Sequence, residues 1–519
     1  MVTGLDTETA PAEPLERTRS MRGLTSGRRA LPPLPTVIDM STTQAPTRTA
    51  PTATPDVRVA SRTLRRLYNL QSSKRRFGRD LLTVLAWSSV AMSLALWVAD
   101  GGIQKIDSGA QIFLAAGTVA GLVATDLMVI MLFLAARLPL IDRSFGHDRA
   151  IALHNKLGRW VIYGLLFHAW LLTCGYAADS DTGLLDEIAS LLGISDLLLS
   201  AVALGALAVI GISSMIVVKR KLPYEVWHVI HLATYVAVGL SLPHQFSMSG
   251  VFAEGTWQRW YWLALFTAVA LALLSFRMIL PIVTSLEHRL VVSRVVLVDT
   301  DVVTIEMRGK RIDRVEAEAG QFFAWRFLAK GLWWHQHPFS LSADPTNDTL
   351  RITIRALGRG TAKLLSVRPG TKVAIEGPYG IFTDDSRTQL GLTLVGVGIG
   401  ISPIRALLES TDVVPGLATV ILRASTNEQL YLVEEIDALC RAKGARLVAL
   451  VGPRANDLQG EPTWLPEQYR AMRLHDLAPA VAQSDVYVCG PQAIADLIID
   501  DALAAGTPAS AIHNERFSW

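Results

Sequence analysis

The 519-residue chain is long enough for three or four ordinary domains. Half of it is hydrophobic, only 18% is charged and its mean hydropathy is positive, which excludes an ordinary soluble enzyme of this size. Three scattered cysteines, Cys174, Cys440 and Cys489, exclude a disulfide framework and a four-thiolate iron–sulfur cluster.

The net charge of +3 hides an asymmetry, because residues 1–79 hold 14 Lys and Arg against 6 Asp and Glu. Residues 1–78 are rich in Pro, Thr, Ala and Arg and lack hydrophobic periodicity. They cannot bury enough apolar surface to offset their ordering entropy, so a disordered basic tail is expected, a solvated linker rather than a dedicated lipid- or partner-binding arm. No apolar stretch follows Met1, so the segment does not read as a secretory signal.

Residues 79–283 read as a six-helix transmembrane bundle. Apolar runs at 81–99, 109–136, 150–177, 197–218, 223–245 and 257–281 all approach or exceed the roughly 20 residues that cross a bilayer. Alternate connections are basic: Lys74, Arg75, Arg76 and Arg79, then Arg137, Arg143 and Arg149, then Lys219, Arg220 and Lys221. The third–fourth connection is acidic, with Asp179, Asp181, Asp186 and Glu187. The positive-inside rule then places both termini in the cytoplasm.

The remaining chain reads as soluble. Strand-like runs at Arg289–Leu297, Val302–Met307 and Leu350–Ile354 belong to an expected antiparallel β-barrel over 284–387. Runs at Leu392–Val395, Ala418–Leu422, Arg446–Val451 and Asp485–Cys489 alternate with helical segments, predicting a doubly wound α/β domain over 388–519. No internal repeat and no calcium-loop pattern is evident.

Histidine within a span is costly unless it is coordinated, paired or wet. His154 and His168 lie in the third run, and His231 and His244 in the fifth. A spacing of 14 residues returns to within about 40° of the same helix face, about 21 Å higher. The 13-residue spacing of the second pair is about 140° out of register in an ideal helix, and Pro243 is expected to distort the helix enough to correct it. The third and fifth spans run the same way, so His154 can face His231 and His168 can face His244. Two stacked bis-histidine haems need such an arrangement; ordinary polar contacts between helices are the competing reading. His228 fits the register worse, and His147 falls in a basic loop where solvation is expected. Asp126, mid-span, suits a haem-edge or proton role, or an interhelical hydrogen bond.

Gly320-Gln321-Phe322 followed by His337-Pro338-Phe339-Ser340 resembles the flavin-binding barrel of ferredoxin–NADP⁺ reductase-like proteins, in the form fused to a ferric-reductase-type membrane domain. NADPH oxidases and ferric-chelate reductases share that architecture, and the resemblance covers roughly residues 80–519. Phe339 offers a flat surface to an isoalloxazine ring, Ser340 a hydroxyl near its N5 edge, and His337 stands where soluble relatives carry a basic residue. Arg355-Ala356-Leu357-Gly358-Arg359-Gly360-Thr361 reads as a strand end, turn and helix start that would hold the FAD pyrophosphate, with Arg355 adding charge. Glu376-Gly377-Pro378-Tyr379-Gly380 closes the barrel in the family pattern.

Gly396, Gly398, Gly400 and Pro403 form the glycine-rich turn from strand to helix that lets backbone approach a second pyrophosphate, although Val397 replaces a glycine common in relatives. By resemblance, Arg423 and Ser425 hold the 2′-phosphate of NADPH, and Cys489-Gly490-Pro491 flanks the nicotinamide. A buried small hydrophobe is the other reading of Cys489. Near the end, Phe517, or failing it Trp519, matches the aromatic that covers the flavin in similar proteins. Ser340, Cys489 and Phe517 are the expected catalytic group.

The resemblance thus implies a membrane oxidoreductase with FAD, two b-type haems and NADPH. Electrons would cross the lipid bilayer to an outer acceptor, a ferric chelate by preference and oxygen as the alternative. No nucleic acid is implied. A membrane cytochrome with a redox-sensing or partner-docking role is the competing class, and a transporter would leave the soluble motifs without a purpose.

Overall fold

The computed structural model describes residues 55–215, 222, 224–248 and 250–516 of the chain. Most of the expected tail and the Lys219–Lys221 cluster therefore lie outside the described residues. The part of the tail that is described is helical, because the first helix runs Pro55–Ala99. No Pro or Gly occurs from Asp56 to Phe77, and Pro55 sits at the helix start, where its missing N–H costs nothing. Backbone propensity extends this helix beyond its apolar portion.

Among the described residues, six helices are long and apolar enough to cross a membrane: Ser73–Ala99, Gly109–Ala135, His147–Asp179, Ser195–Ser214, Val226–Met248 and Trp257–His288. Their outward faces carry Trp87, Trp160 and Val236, all well exposed, as lipid-facing surfaces require. Spans two and three approach closely through Gly117 and Gly121, four residues apart. A Cβ on Gly117 would stand 2.8 Å from Leu172, and small residues at this spacing let membrane helices approach backbone to backbone. The fifth span continues through Pro243 to Met248 instead of breaking there, consistent with the need to keep backbone groups bonded inside lipid. The sixth passes through a π-helical turn, Leu273–Ile279, before Leu280–His288 leads into the first strand.

The flavin-type domain consists of two three-stranded antiparallel sheets. One joins β1 (Val291–Asp299), β2 (Val302–Arg308) and β5 (Thr349–Arg355). The other joins β4 (His337–Ser340), β3 (Phe322–Phe327) and β6 (Val373–Tyr379). Single bridges at Val291–Lys372 and Leu341–Ile352 link their edges, so the barrel closes through isolated contacts and not continuous ladders. Its core includes Val303, Ile305, Phe323, Trp325, Ile352 and Ile375.

The nucleotide domain has five parallel strands in the order β13 (Ile512–Arg516), β12 (Ser484–Gly490), β7 (Gly391–Val397), β8 (Ala418–Ala424) and β9 (Arg446–Val451). Strand β13 is additional to the four expected. The hairpin β10 (Arg454–Asn456) and β11 (Pro462–Pro466) packs near β9, at the edge opposite β13. Arg351 of β5 and Arg405 both bind Glu435, and this fastens the two soluble domains together.

Candidate functional site

In the membrane, the rings of His154 and His231 face one another with centroids 6.1 Å apart and planes at 67°. Two imidazole nitrogens each about 2 Å from a shared metal would hold ring centroids roughly 6 Å apart, so the pair fits an axial bis-imidazole site. His154 Nδ1 lies 3.2 Å from the Met131 carbonyl oxygen, and His168 Nδ1 lies 2.7 Å from that of Gly117. Carbonyl oxygens only accept, so both Nδ1 atoms carry the proton and both Nε2 lone pairs are left for a metal. Gly121 is part of this arrangement, since a Cβ there would stand 2.4 Å from His168 Nδ1.

His168 lies within electrostatic reach of His244, whose ring is held by a backbone contact to Ser241 one turn earlier. His231 is less firmly held, with Nδ1 3.5 Å from Ser214 Oγ and its ring stacked on Trp227 at 5.2 Å. Among the described residues, no three His, Cys, Asp or Glu converge. A metal here would have to bring most of its own donors, as porphyrin iron does.

Asp126 lies five residues from both Gly121 and Met131, about 140° around the helix. It accepts a 2.6 Å hydrogen bond from Ser89 Oγ, which also contacts the Tyr261 hydroxyl at 2.9 Å. This is an interhelical hydrogen bond of the kind expected as one of its alternatives.

On the flavin side, alternate residues of β4 and the segment that leads into it line up their rings. His335 stacks on His337 at 6.0 Å, and His337 stacks on Phe339 at 5.8 Å. Trp325 Nε1 donates to the Phe339 carbonyl and fixes the strand beneath. Pro338 lies between these rings, paired with Ala324 of β3. The loop expected to hold pyrophosphate passes close by, because a Cβ on Gly360 would come 3.1 Å from His337. Thr361 Oγ1 accepts from the N–H groups of Leu357 and Gly358, each at 3.0 Å, and so shapes the turn. Arg355 Nε donates to Asp301 at 2.8 Å, which ties up part of the charge expected to face phosphate.

On the nucleotide side, two loops meet backbone to backbone. A Cβ on Gly400 would lie 2.2 Å from the Cys489 carbonyl oxygen, and one on Gly490 would lie 2.6 Å from Val397 Cβ. Glycine at 490 thus makes room for the bulk at 397. Gly396 packs on Ile401, Gly398 has φ +57°, and Pro403 is buried in the helix Ile401–Ser410. Pro491 caps the helix Gln492–Ala504.

Arg423 is placed differently from expectation. It is only 4% exposed, and its guanidinium donates to the carbonyls of Trp464 and Ala424. Burial lowers its pKa, as does nearby Arg454, which is itself exposed. Backbone carbonyls hold the Arg423 guanidinium, whereas Arg454, within electrostatic reach of it, is exposed, as is Ser425.

Two site residues escaped the sequence reading. Glu515 of β13 accepts from Ser340 Oγ at 3.1 Å and is paired in register with Cys489. Its carboxyl is pushed up to about 8 by burial and by Asp148, against the Ser340 bond. Burial, with Glu515 and Asp148, also pushes the Cys489 thiol well above its ordinary range, so it stays neutral. His147, expected to be solvated, is 7% exposed and stacks on Tyr379 at 4.9 Å. The Glu-x-Phe ending was the available signal for the first; the second had none, since its partner is 232 positions away. Phe517 and Trp519 lie outside the described residues.

Comparison with known proteins follows the same division. The ferric reductase like transmembrane component family matches residues 120–242, which include His154, His168 and His231. A FAD-binding domain family matches residues 288–383. A flavohemoprotein of Xylella fastidiosa (strain Temecula1 / ATCC 700964) is 26% identical over 209 residues, 39% of this chain and 51% of its own. The chain therefore spans about half the length of that relative. NADPH oxidase 1 of Mus musculus is 28% identical over 130 residues, 24% of this chain and 21% of its own. The flavohem-like FAD/NAD binding domain of a nitric oxide dioxygenase from Vibrio cholerae O1 biovar El Tor is 20% identical. It covers 44% of this chain and 99% of that one, with a TM-score of 0.37. The chain thus joins a membrane segment that matches the ferric reductase like transmembrane component to a segment that matches a FAD-binding domain, the combination found in the ferric reductase/NADPH oxidase-like family that it resembles.

Proposed function

We propose that this protein is a transmembrane oxidoreductase that passes electrons from cytoplasmic NADPH, by way of FAD and two b-type haems, to a ferric chelate at the outer face. The observation that carries the proposal is the facing pair His154 and His231, 6.1 Å between ring centroids. The Nδ1–H tautomer imposed on His154 by the Met131 carbonyl supports it. FAD held against Phe339 and His337 would supply conversion between hydride and single electrons, and haems held by the histidine pairs would supply single-electron transfer.

The chain's own residues supply placement. Phe339 and His337 form a flat wall for the flavin, Thr361 shapes the phosphate turn, and Ser340 with Glu515 can hold a proton beside the N5 edge. His154 with His231 would hold the inner haem and His168 with His244 the outer one. Orientation follows from the basic ends of the spans: Arg75 bonds Ser386 and Arg137 bonds Glu376, so the soluble domains share the basic side, which the positive-inside rule makes cytoplasmic.

Oxygen is the second acceptor, favoured by the likeness to an NADPH oxidase. Measuring NADPH-driven Fe(II) formation and superoxide, with and without superoxide dismutase, separates the two. A reduced-minus-oxidised spectrum with haem and flavin stoichiometry tests the whole reading; protein that binds flavin but has no Soret band defeats it.

A further inference from the structure

Among the contacts between the soluble part of the chain and the membrane bundle, which include Arg75–Ser386 and Ser285–Ile375, one carboxylate meets two cations. Glu376, near the end of β6 and 9% exposed, directs Oε1 at two guanidiniums from different spans. Arg137, just past the second span, is 2.6 Å away, and Arg277, in the π-helical turn of the sixth, is 3.4 Å away. The Tyr379 hydroxyl donates to the same oxygen at 3.1 Å, and Gln336 Nε2 donates to the other at 2.7 Å. Burial alone would raise the Glu376 pKa, but Arg137 and Arg277 hold it below the usual carboxylate range. A buried charge set of this kind is strongly destabilised by loss of one member, which makes its geometry exacting.

Tyr379 lies between two parts of the membrane domain. The Arg137 guanidinium sits 5.1 Å from its ring centroid, and the His147 ring stacks on it at 4.9 Å with planes 24° apart. His147 also meets Phe322 of β3 edge-on at 5.6 Å. Phe322 pairs in register with Ser340, at the expected N5 edge of the flavin. His147 precedes His154 by seven residues, within about 20° of the same helix face and about 10 Å along the axis. The stacked rings thus fill the space between the flavin strands and the face of the third span that bears His154.

We propose that Glu376, held by Arg137 and Arg277, is a latch that locks the flavin barrel onto the bundle, and that the His147–Tyr379 stack sets the gap between the flavin site and the His154/His231 pair. This rests on the function proposed above. All five are positioning residues. Their effect is on distance, to which transfer steps are sensitive: a misplacement of about 1 Å can cost roughly 100-fold.

The test uses the full-length protein with both cofactors. In Glu376→Gln, haem and FAD content and flavin reduction by NADPH stay as in wild type. Haem reduction slows roughly tenfold or more, and hydrogen exchange rises in segments 137–147 and 373–380. His147→Ala slows haem reduction similarly, and His147→Phe, which keeps a ring in the stack, restores most of it. If Glu376→Gln does not accumulate, Arg277→Gln, which removes the longer contact, carries the same prediction in weaker form. Unchanged haem reduction in Glu376→Gln overturns the positioning role, whether or not exchange rises. Equal slowing in His147→Ala and His147→Phe overturns the stack. A wild-type protein without a Soret band defeats the proposed function instead, and hydrogen exchange then decides the latch by itself.

Discussion

Ser340 donates its hydroxyl hydrogen to Glu515 at 3.1 Å, joining the flavin barrel to the last strand of the nucleotide sheet. The two residues are 175 positions apart, and both are buried. The other Glu515 oxygen, Oε1, has no hydrogen-bond partner. A carboxyl so placed favours its neutral form, which lets it hold a proton at the point where two cofactors would meet.

The pH dependence follows from the sign of that shift. Glu515 rises from an ordinary value of 4.5 to about 8 in the folded protein. The folded state therefore binds a proton that the unfolded state has already released between those values. The resulting stability is fully present below about 4.5 and is lost as pH rises through 8. Thermal midpoints measured from pH 5 to 9 should fall with rising pH in wild type relative to Glu515→Gln, and level off above about 8. Parallel curves for the two proteins would remove the assignment.

Gly121→Val tests the outer haem site without touching a ligand. Any Cβ at 121 would lie 2.4 Å from His168 Nδ1, in a ring already anchored to the Gly117 carbonyl. His168 would have to swing away and lose its alignment. The expected result is one haem per flavin in place of two, with flavin reduction by NADPH intact, as for His168→Ala. Full haem content in both variants would mean that His168 is not a ligand.

The parts of this protein set by local pattern were legible in its sequence. Apolar run length located the six spans, with ends that differ by up to eight residues, and strand–turn–helix order located β7, β8, β9 and β12. Features that depend on distant partners were not. His147 was assigned to solvent because its neighbours Arg143 and Arg149 are basic; Tyr379, which buries it, comes from another domain. Arg423 reads as a phosphate ligand from its local sequence, and the bond it gives the Trp464 carbonyl, 41 positions on, has no local signal. Strand β13 was overlooked because Ile512–Arg516 is short and polar, and its identity comes from pairing with β12.

Arg454 and Arg423 should behave oppositely toward the 2′-phosphate. A charge-assisted bond to phosphate is worth roughly 1.5–3 kcal/mol, or about 10- to 100-fold in affinity. Arg454→Ala should raise KM for NADPH by about that factor and leave NADH unchanged, since Arg454 is exposed at the start of the β10–β11 hairpin. Arg423→Ala should lower thermal stability and impair both nucleotides alike, because it leaves the Trp464 carbonyl unpaired in a buried setting. A selective loss of NADPH in Arg423→Ala and none in Arg454→Ala would reverse the two roles.

Strand β13 also bears on the residues that follow it. Glu515 pairs with Cys489 and Arg516 with Gly490, in parallel register, so the chain leaves the sheet beside the loop expected to flank the nicotinamide. In sequence Phe517 comes next and Trp519 two residues later, both outside the described residues. An aromatic ring covering the flavin must be displaced before the nicotinamide can approach, and NADPH gains extra binding energy from its phosphate to drive that displacement. Removing the ring should therefore help NADH more than NADPH. Truncation after Arg516 should raise the NADH/NADPH ratio of kcat/KM several-fold, about 1 kcal/mol, while removal of Trp519 alone leaves it unchanged. A ratio that moves only when Trp519 is removed would transfer the role to the terminal residue, and a ratio that never moves would deny it to both.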